Sequence, residues 1–141
     1  MARQKKKEIN SEEIVEKIPR TRSTKYSRTK GHNFETKIAK ELRDLGYTGV
    51  VTARSESKSM DNNKIDLVDK NGIMPFFLQL KSTQNTPSYF SIEQACTDKT
   101  LPFCLLWSKQ VKKEINICSV GEVVMIPKDF FYELLKKYSF E

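Results

Sequence analysis

A chain of 141 residues is sized for one domain with its own core, and 38% hydrophobic with 30% charged residues suits a globular protein. No apolar run approaches the ~20 residues that span a bilayer, and the charged N-terminus lacks the apolar core of a signal peptide, so a membrane protein and a secreted one are both disfavoured. The formal net charge of +7 is unevenly placed: residues 1–30 carry ten Lys/Arg and four Glu, a net of +6, while residues 31–141 carry fifteen and fourteen, a net of +1.

The basicity therefore belongs to an N-terminal arm, residues 1–29, and only slightly to the domain expected over 30–141. Lys5, Lys6, Lys7, Arg20, Arg22, Lys25, Arg28 and Lys30 are placed to neutralise phosphates and release counterions. Interleaved Ser and Thr, with Tyr26, can donate hydrogen bonds to a nucleic-acid backbone. The plainer reading is a solvated, flexible tail with little apolar surface to bury. A short helix over 11–18 is expected, with Ser11 as its cap and Pro19 as its stop.

The domain opens with a helix between Asn33, a suitable N-cap, and Gly46, a suitable stop. Phe34, Ile38, Leu42 and Leu45 recur at helical spacing. Glu35 lies along that apolar stripe. It reads either as a favourable charge near a helix N-terminus or as a carboxylate aimed at a site. The lone histidine, His32, is expected near the start of this helix and not as a ligand. Val50-Val51-Thr52-Ala53-Arg54 reads as a first strand, followed by a polar loop over 55–63. Arg54 and Lys58 are candidate nucleic-acid contacts there, and Asp61 is a rival metal ligand.

The next stretch, Lys64 to Lys81, holds two strand-like runs around Asn71-Gly72. That dipeptide is a strong hairpin signal, because a tight primed turn needs positive φ. A two-residue turn pairs Lys70 with Ile73 and sets Asp66 opposite Phe77, diagonal to Gln79 and about 7–8 Å from it. Alternation puts Phe76, Leu78 and Leu80 on one face, and Phe77, Gln79 and Lys81 on the other. Pro75 weakens this register, since proline cannot donate to the ladder. Asp66 and the Gln79 amide oxygen suit a hard cation such as Mg²⁺, which prefers oxygen ligands. Lys81 can orient the attacking water or steady charge developing on a phosphate. The plainer reading is an exposed sheet face with ordinary polar residues.

Ser91-Ile92-Glu93-Gln94 has the form of a capping box opening a short helix. Leu101 to Trp107 reads as a buried strand, parallel to the one holding Gln79 through a crossover. Strands are expected over 115–119 and 123–126. A last amphipathic helix runs from Pro127 to Tyr138, with Phe130, Phe131, Leu134 and Leu135 as core. Cys96, Cys104 and Cys118 are odd in number and form no CxxC pair, so they read as reduced core residues of an intracellular, cytoplasmic protein.

Helix with Glu, strand, strand with Asp, strand with QxK, helix, strand is an order that resembles the PD-(D/E)xK nuclease superfamily. The chain is most similar to archaeal-type Holliday-junction resolvases and their phage relatives, which makes a phage or viral source an expectation. Lys30-Gly31-His32-Asn33-Phe34-Glu35 looks like the opening basic-Gly-x-x-x-Glu. Ile65-Asp66 stands in the place of Pro-Asp, and Gln79-Leu80-Lys81 in that of Glu-x-Lys. Tyr89 to Gln94 resembles the lead into the following helix. The likeness covers about residues 30–107. It implies an α/β fold of restriction-endonuclease type, an αβββαβ core with a central mixed sheet flanked by helices. It also implies hydrolysis of DNA phosphodiester bonds, most of all in branched DNA, by a homodimer using Mg²⁺ or Mn²⁺. Asp66 and Gln79 would be ligands, Lys81 catalytic and Glu35 a supporting ligand. Gln79 departs from the usual acid and removes a charge, which keeps a non-catalytic nucleic-acid-binding module open. A restriction- or repair-type nuclease is the other alternative.

Overall fold

The computed structural model describes residues 26, 28–56 and 62–139. Lys5, Lys6, Lys7, Arg20, Arg22, Lys25, Lys58, Asp61 and the helix expected over 11–18 lie outside the described residues. The chain divides into two compact units, residues 1–33 and 34–141. The described residues of the first are helical, with Arg28 exposed and Lys30 half-buried. The second holds every strand of the sheet.

Helix α1 runs over 28–44, so Asn33 is inside it and is not its cap. No proline interrupts 28–33, and once a helix is nucleated each added residue brings one more hydrogen bond. Its end is a Schellman turn: the Gly46 N–H donates to the Arg43 carbonyl and the Tyr47 N–H to the Leu42 carbonyl, both at 3.0 Å. Gly46 has φ +117°, which only glycine adopts without strain. Leu45 falls in that turn and is 76% exposed, against the expectation that it continues the apolar stripe. Phe34, Ile38 and Ala39 are buried, and Leu42 packs beside them.

Strand β1 is Val50–Thr52 and stops short of Arg54. Ala53 turns its N–H onto the Asp66 carbonyl at 2.8 Å, and Ala53–Glu56 forms a short helix, α2. Strand β2, Leu67–Asp69, pairs antiparallel with β1. The expected tight hairpin is absent. Residues 70–76 form a longer loop, whose backbone N–H groups at Asn71, Ile73 and Met74 donate to the Asp69 carboxylate at 3.0, 3.0 and 2.9 Å. Gly72 keeps the predicted positive φ, +65°. Pro75 cannot donate to a ladder, and Asp69 supplies the loop with acceptors instead. Strand β3, Phe77–Thr83, then bridges β2 at Leu67↔Leu78, where the two-residue turn would have set Leu67 against Phe76. A slip of two residues keeps Phe76, Leu78 and Leu80 on one face and Phe77 on the other, as expected.

Helix α3 is Tyr89–Ala95 with Ser88 at the N-cap, earlier than the box at Ser91. The Ser88 hydroxyl donates to the Ser91 hydroxyl at 2.9 Å, and the first turn is tied down by Tyr89, whose OH donates to the Phe103 carbonyl at 2.6 Å. Strand β4, Phe103–Lys113, runs parallel to β3 as expected. Its antiparallel partner β5, Asn116–Met125, is one strand where two were expected. Between the two expected strands lies a bulge: Lys109 pairs with Gly121 and Gln110 with Ser119, leaving Val120 extra.

The result is a five-stranded mixed sheet in the order β1-β2-β3-β4-β5 with helices on both faces. On one face Phe34, Ile38 and Ala39 of α1 pack with Leu67, Leu78, Leu80 and Cys104. On the other, Ile65, Phe77, Cys96 and Phe103 pack with Tyr89 and Ile92. Helix α4, Lys128–Ser139, joins the first face through Phe130. Phe131, Leu134 and Leu135 are exposed, against expectation, because only the first turn of α4 meets the core. Cys96 and Cys104 are buried and free, whereas Cys118, on the exposed strand β5, is not a core residue. Among the described residues no helix is long and apolar enough to cross a membrane.

Candidate functional site

The site grows from the point where β2 and β3 part. Next to the Leu67↔Leu78 bridge the Asp66 N–H donates to the Leu78 carbonyl at 2.9 Å, and the Asp66 carbonyl accepts the Ala53 N–H. The Asp66 side chain also meets β3: its Oδ2 accepts the Leu80 N–H at 2.7 Å. Leu80 lies between Gln79 and Lys81, so this bond fixes the aspartate against the strand carrying both.

Asp66 is half-buried, and its carboxyl is pushed up to about 6. Burial is the main cause, and the nearby Glu35 carboxylate adds to it. The Leu80 N–H and the Lys81 and Arg54 cations oppose the rise. Glu35, buried on α1, receives the Arg54 guanidinium at 3.2 Å on Oε1. Glu35, Asp66, Lys81 and Arg54 are thus brought together. Arg54, a candidate nucleic-acid contact, is exposed and at the same time pairs with Glu35.

Gln79 is 5% exposed, and its amide Nε2 makes only a long 3.4 Å contact with the Leu80 carbonyl. Its Oε1 is buried with no hydrogen-bond partner among the described residues. Burying an acceptor unsatisfied costs about 1–3 kcal/mol, so an unfilled one marks a place built for something else. A hard cation fits it: Gln79 Oε1 and the Asp66 carboxylate are oxygen donors, and a cation offsets two crowded carboxylates. Among the described residues no group of three or more His, Cys, Asp or Glu side chains forms such a site. The donor set consists of two carboxylates and one amide. Lys81 is half-buried and makes no ion pair or hydrogen bond among the described residues, so its ammonium is available.

One supporting residue carries no mark in the sequence. Asn63 Oδ1 accepts N–H groups from Thr97 at 2.6 Å and Asp98 at 3.4 Å, and the Thr97 hydroxyl at 2.7 Å. It ties the segment leading into Asp66, with Lys64 at φ +63° and Ile65 fully buried, to the loop after α3. An asparagine in a polar loop gives no signal that separates this role from ordinary turn chemistry.

Comparison with protein-family models, with curated proteins and with solved structures finds no match to this chain.

Proposed function

We propose that the chain is a Mg²⁺-dependent endodeoxyribonuclease that hydrolyses phosphodiester bonds, most of all in branched DNA such as Holliday junctions. One observation carries the reading: the buried Gln79 Oε1, without a hydrogen-bond partner among the described residues, stands one residue from the Leu80 amide that holds Asp66, and Glu35 and Lys81 lie near that carboxyl. Asp66 and Gln79 would hold the cation, with Glu35 as the further carboxylate. When bound, the cation supplies Lewis-acid polarisation of the phosphate. Lys81 places its ammonium where negative charge grows on the phosphate oxygens. Arg54 orients Glu35, and the Leu80 N–H orients Asp66. Mn²⁺ has the same oxygen preference and would substitute. Cutting two strands of a junction symmetrically calls for two sites, hence a homodimer.

A second reading is a nucleic-acid-binding module without catalysis. It is favoured by Gln79, whose amide supplies no charge where a carboxylate would. A restriction- or repair-type nuclease shares the chemistry and differs in substrate. Cleavage of four-way junction, duplex and single-stranded DNA, with and without Mg²⁺, separates the three.

A further inference from the structure

The face of the sheet that carries Gln79 and Lys81 continues beyond α3. Parallel pairing sets Lys81 beside Trp107 and Thr83 beside Lys109. Partners across a sheet share a face, as do residues two apart on one strand. Phe77 and Phe103, the pair at the start of this row, are covered by α3, and Gln79 and Leu105 are buried. Lys81, Trp107, Thr83 and Lys109 come next, all half-buried. Covered apolar sheet thus gives way to a strip of lysine, indole, hydroxyl and lysine beside the candidate site.

The indole is fixed in place. Trp107 Nε1 donates to the Thr83 carbonyl at 3.2 Å and to its Oγ1 at 3.0 Å. The Lys109 ammonium lies over the ring, 5.6 Å from its centroid, and donates to the Gln84 carbonyl. A ring already held in one orientation loses little freedom when a second ring packs on it. Neighbouring strands lie about 4.8 Å apart, so the indole is an immediate neighbour of Lys81. Stacking a base on an aromatic side chain contributes about 1–3 kcal/mol, and the flexible Lys109 stem lets its ammonium leave the ring for the phosphate of the same strand.

We infer that Trp107 is a stacking platform for one unpaired base of the DNA, next to the phosphate that faces Lys81, with Lys109 on a neighbouring phosphate. The inference rests on the nuclease reading for the role of Lys81. It adds a substrate requirement: within a duplex the base faces are already stacked on one another, so the nucleotide at Trp107 must be unpaired, as at a junction, a flap or a single strand.

Trp107 is the single tryptophan of the chain, which makes its emission a direct reporter. The full chain is titrated with a dT oligonucleotide, and separately with a duplex of equal length, without divalent cations, while binding is followed by the anisotropy of end-labelled DNA. Expected is quenching by dT that saturates together with the anisotropy, and much weaker quenching by bound duplex. Trp107→Ala should weaken dT binding about 5- to 100-fold, Trp107→Phe should retain most of it, and Lys109→Gln should lower the salt slope for single strands by about 0.7. DNA that binds by anisotropy while the emission of the unmodified protein stays unchanged overturns the inference, with no variant needed. Cleavage with unchanged emission leaves the nuclease reading standing and removes this one. Quenching by dT without any cleavage does the reverse.

Discussion

The backbone amide of Leu80 donates a 2.7 Å hydrogen bond to Oδ2 of Asp66. A side chain here takes the part of a strand neighbour, while the Asp66 carbonyl serves Ala53. The bond holds the carboxylate at the fork between β2 and β3 and leaves the strand with Gln79 and Lys81 alongside. It also places an acid where burial and Glu35 oppose its ionisation.

That opposition predicts a pH dependence of stability. The Asp66 carboxyl stands at about 6 in the fold against an ordinary 3.8. Between these values the folded chain binds more protons than the unfolded one, so stability falls as pH rises through 6. At 1.36 kcal/mol per unit the loss reaches as much as about 3 kcal/mol by pH 8. Asp66→Asn keeps an acceptor for Leu80 and carries no charge. Without divalent cations it should unfold at higher denaturant than the unmodified protein at pH 8 and lose that advantage near pH 4. Equal midpoints at both pH values would show that Asp66 ionises freely.

Gln79→Glu adds a carboxylate beside two others. The metal-free protein should lose about 1–3 kcal/mol in urea unfolding, as expected for a further buried, unpaired charge. Mg²⁺ should restore more of it than in the unmodified protein, and cleavage should be kept or raised. A folded Gln79→Glu protein that neither binds Mg²⁺ more tightly nor cuts would assign Gln79 a hydrogen bond to substrate instead.

Asp69→Ala removes the acceptor for three loop amides, one of them at the buried Met74. A loss of about 2 kcal/mol in thermal or urea unfolding is expected. A loss below about 0.5 kcal/mol would mean that water serves these amides equally well.

The arm makes a prediction about affinity. Replacing Lys5, Lys6, Lys7, Arg20 and Arg22 by Gln in the full chain should weaken DNA binding. It should also flatten the plot of log affinity against log salt by several units, at about 0.9 per lost duplex phosphate contact. Preference among DNA shapes should change little. An unchanged slope would show that these cations do not meet phosphates.

Much of the sheet is legible in the sequence because period-two alternation survives errors of register. Leu78 and Leu80 take the face opposite Phe77 in a hairpin that does not form, and an even slip keeps the assignment true. The parallel β3–β4 pairing follows from the helix between them. Other features depend on contacts that no local pattern encodes. The gap between the strands expected over 115–119 and 123–126 is a bulge at Val120 within one strand. Phe131, Leu134 and Leu135 have core composition, but α4 reaches the core only by its first turn. Arg54 is the surface cation it looks like, but its pairing with Glu35 across 19 residues of sequence has no local signal. The grouping of Glu35, Asp66 and Lys81 can be read from motif order, whereas the unsatisfied Gln79 oxygen is visible only in three dimensions.

The most direct test of the proposed chemistry is cleavage of a labelled four-way junction by the purified full chain, with Mg²⁺ or with chelator, beside Lys81→Ala and Asp66→Asn. The account predicts Mg²⁺-dependent strand cutting by the unmodified protein. It predicts at least about a 100-fold loss in both variants, on the order of removing one charge-stabilising group from a transition state, with junction binding and fold retained. Cutting that persists in chelator, or at an undiminished rate in folded Lys81→Ala, would contradict it.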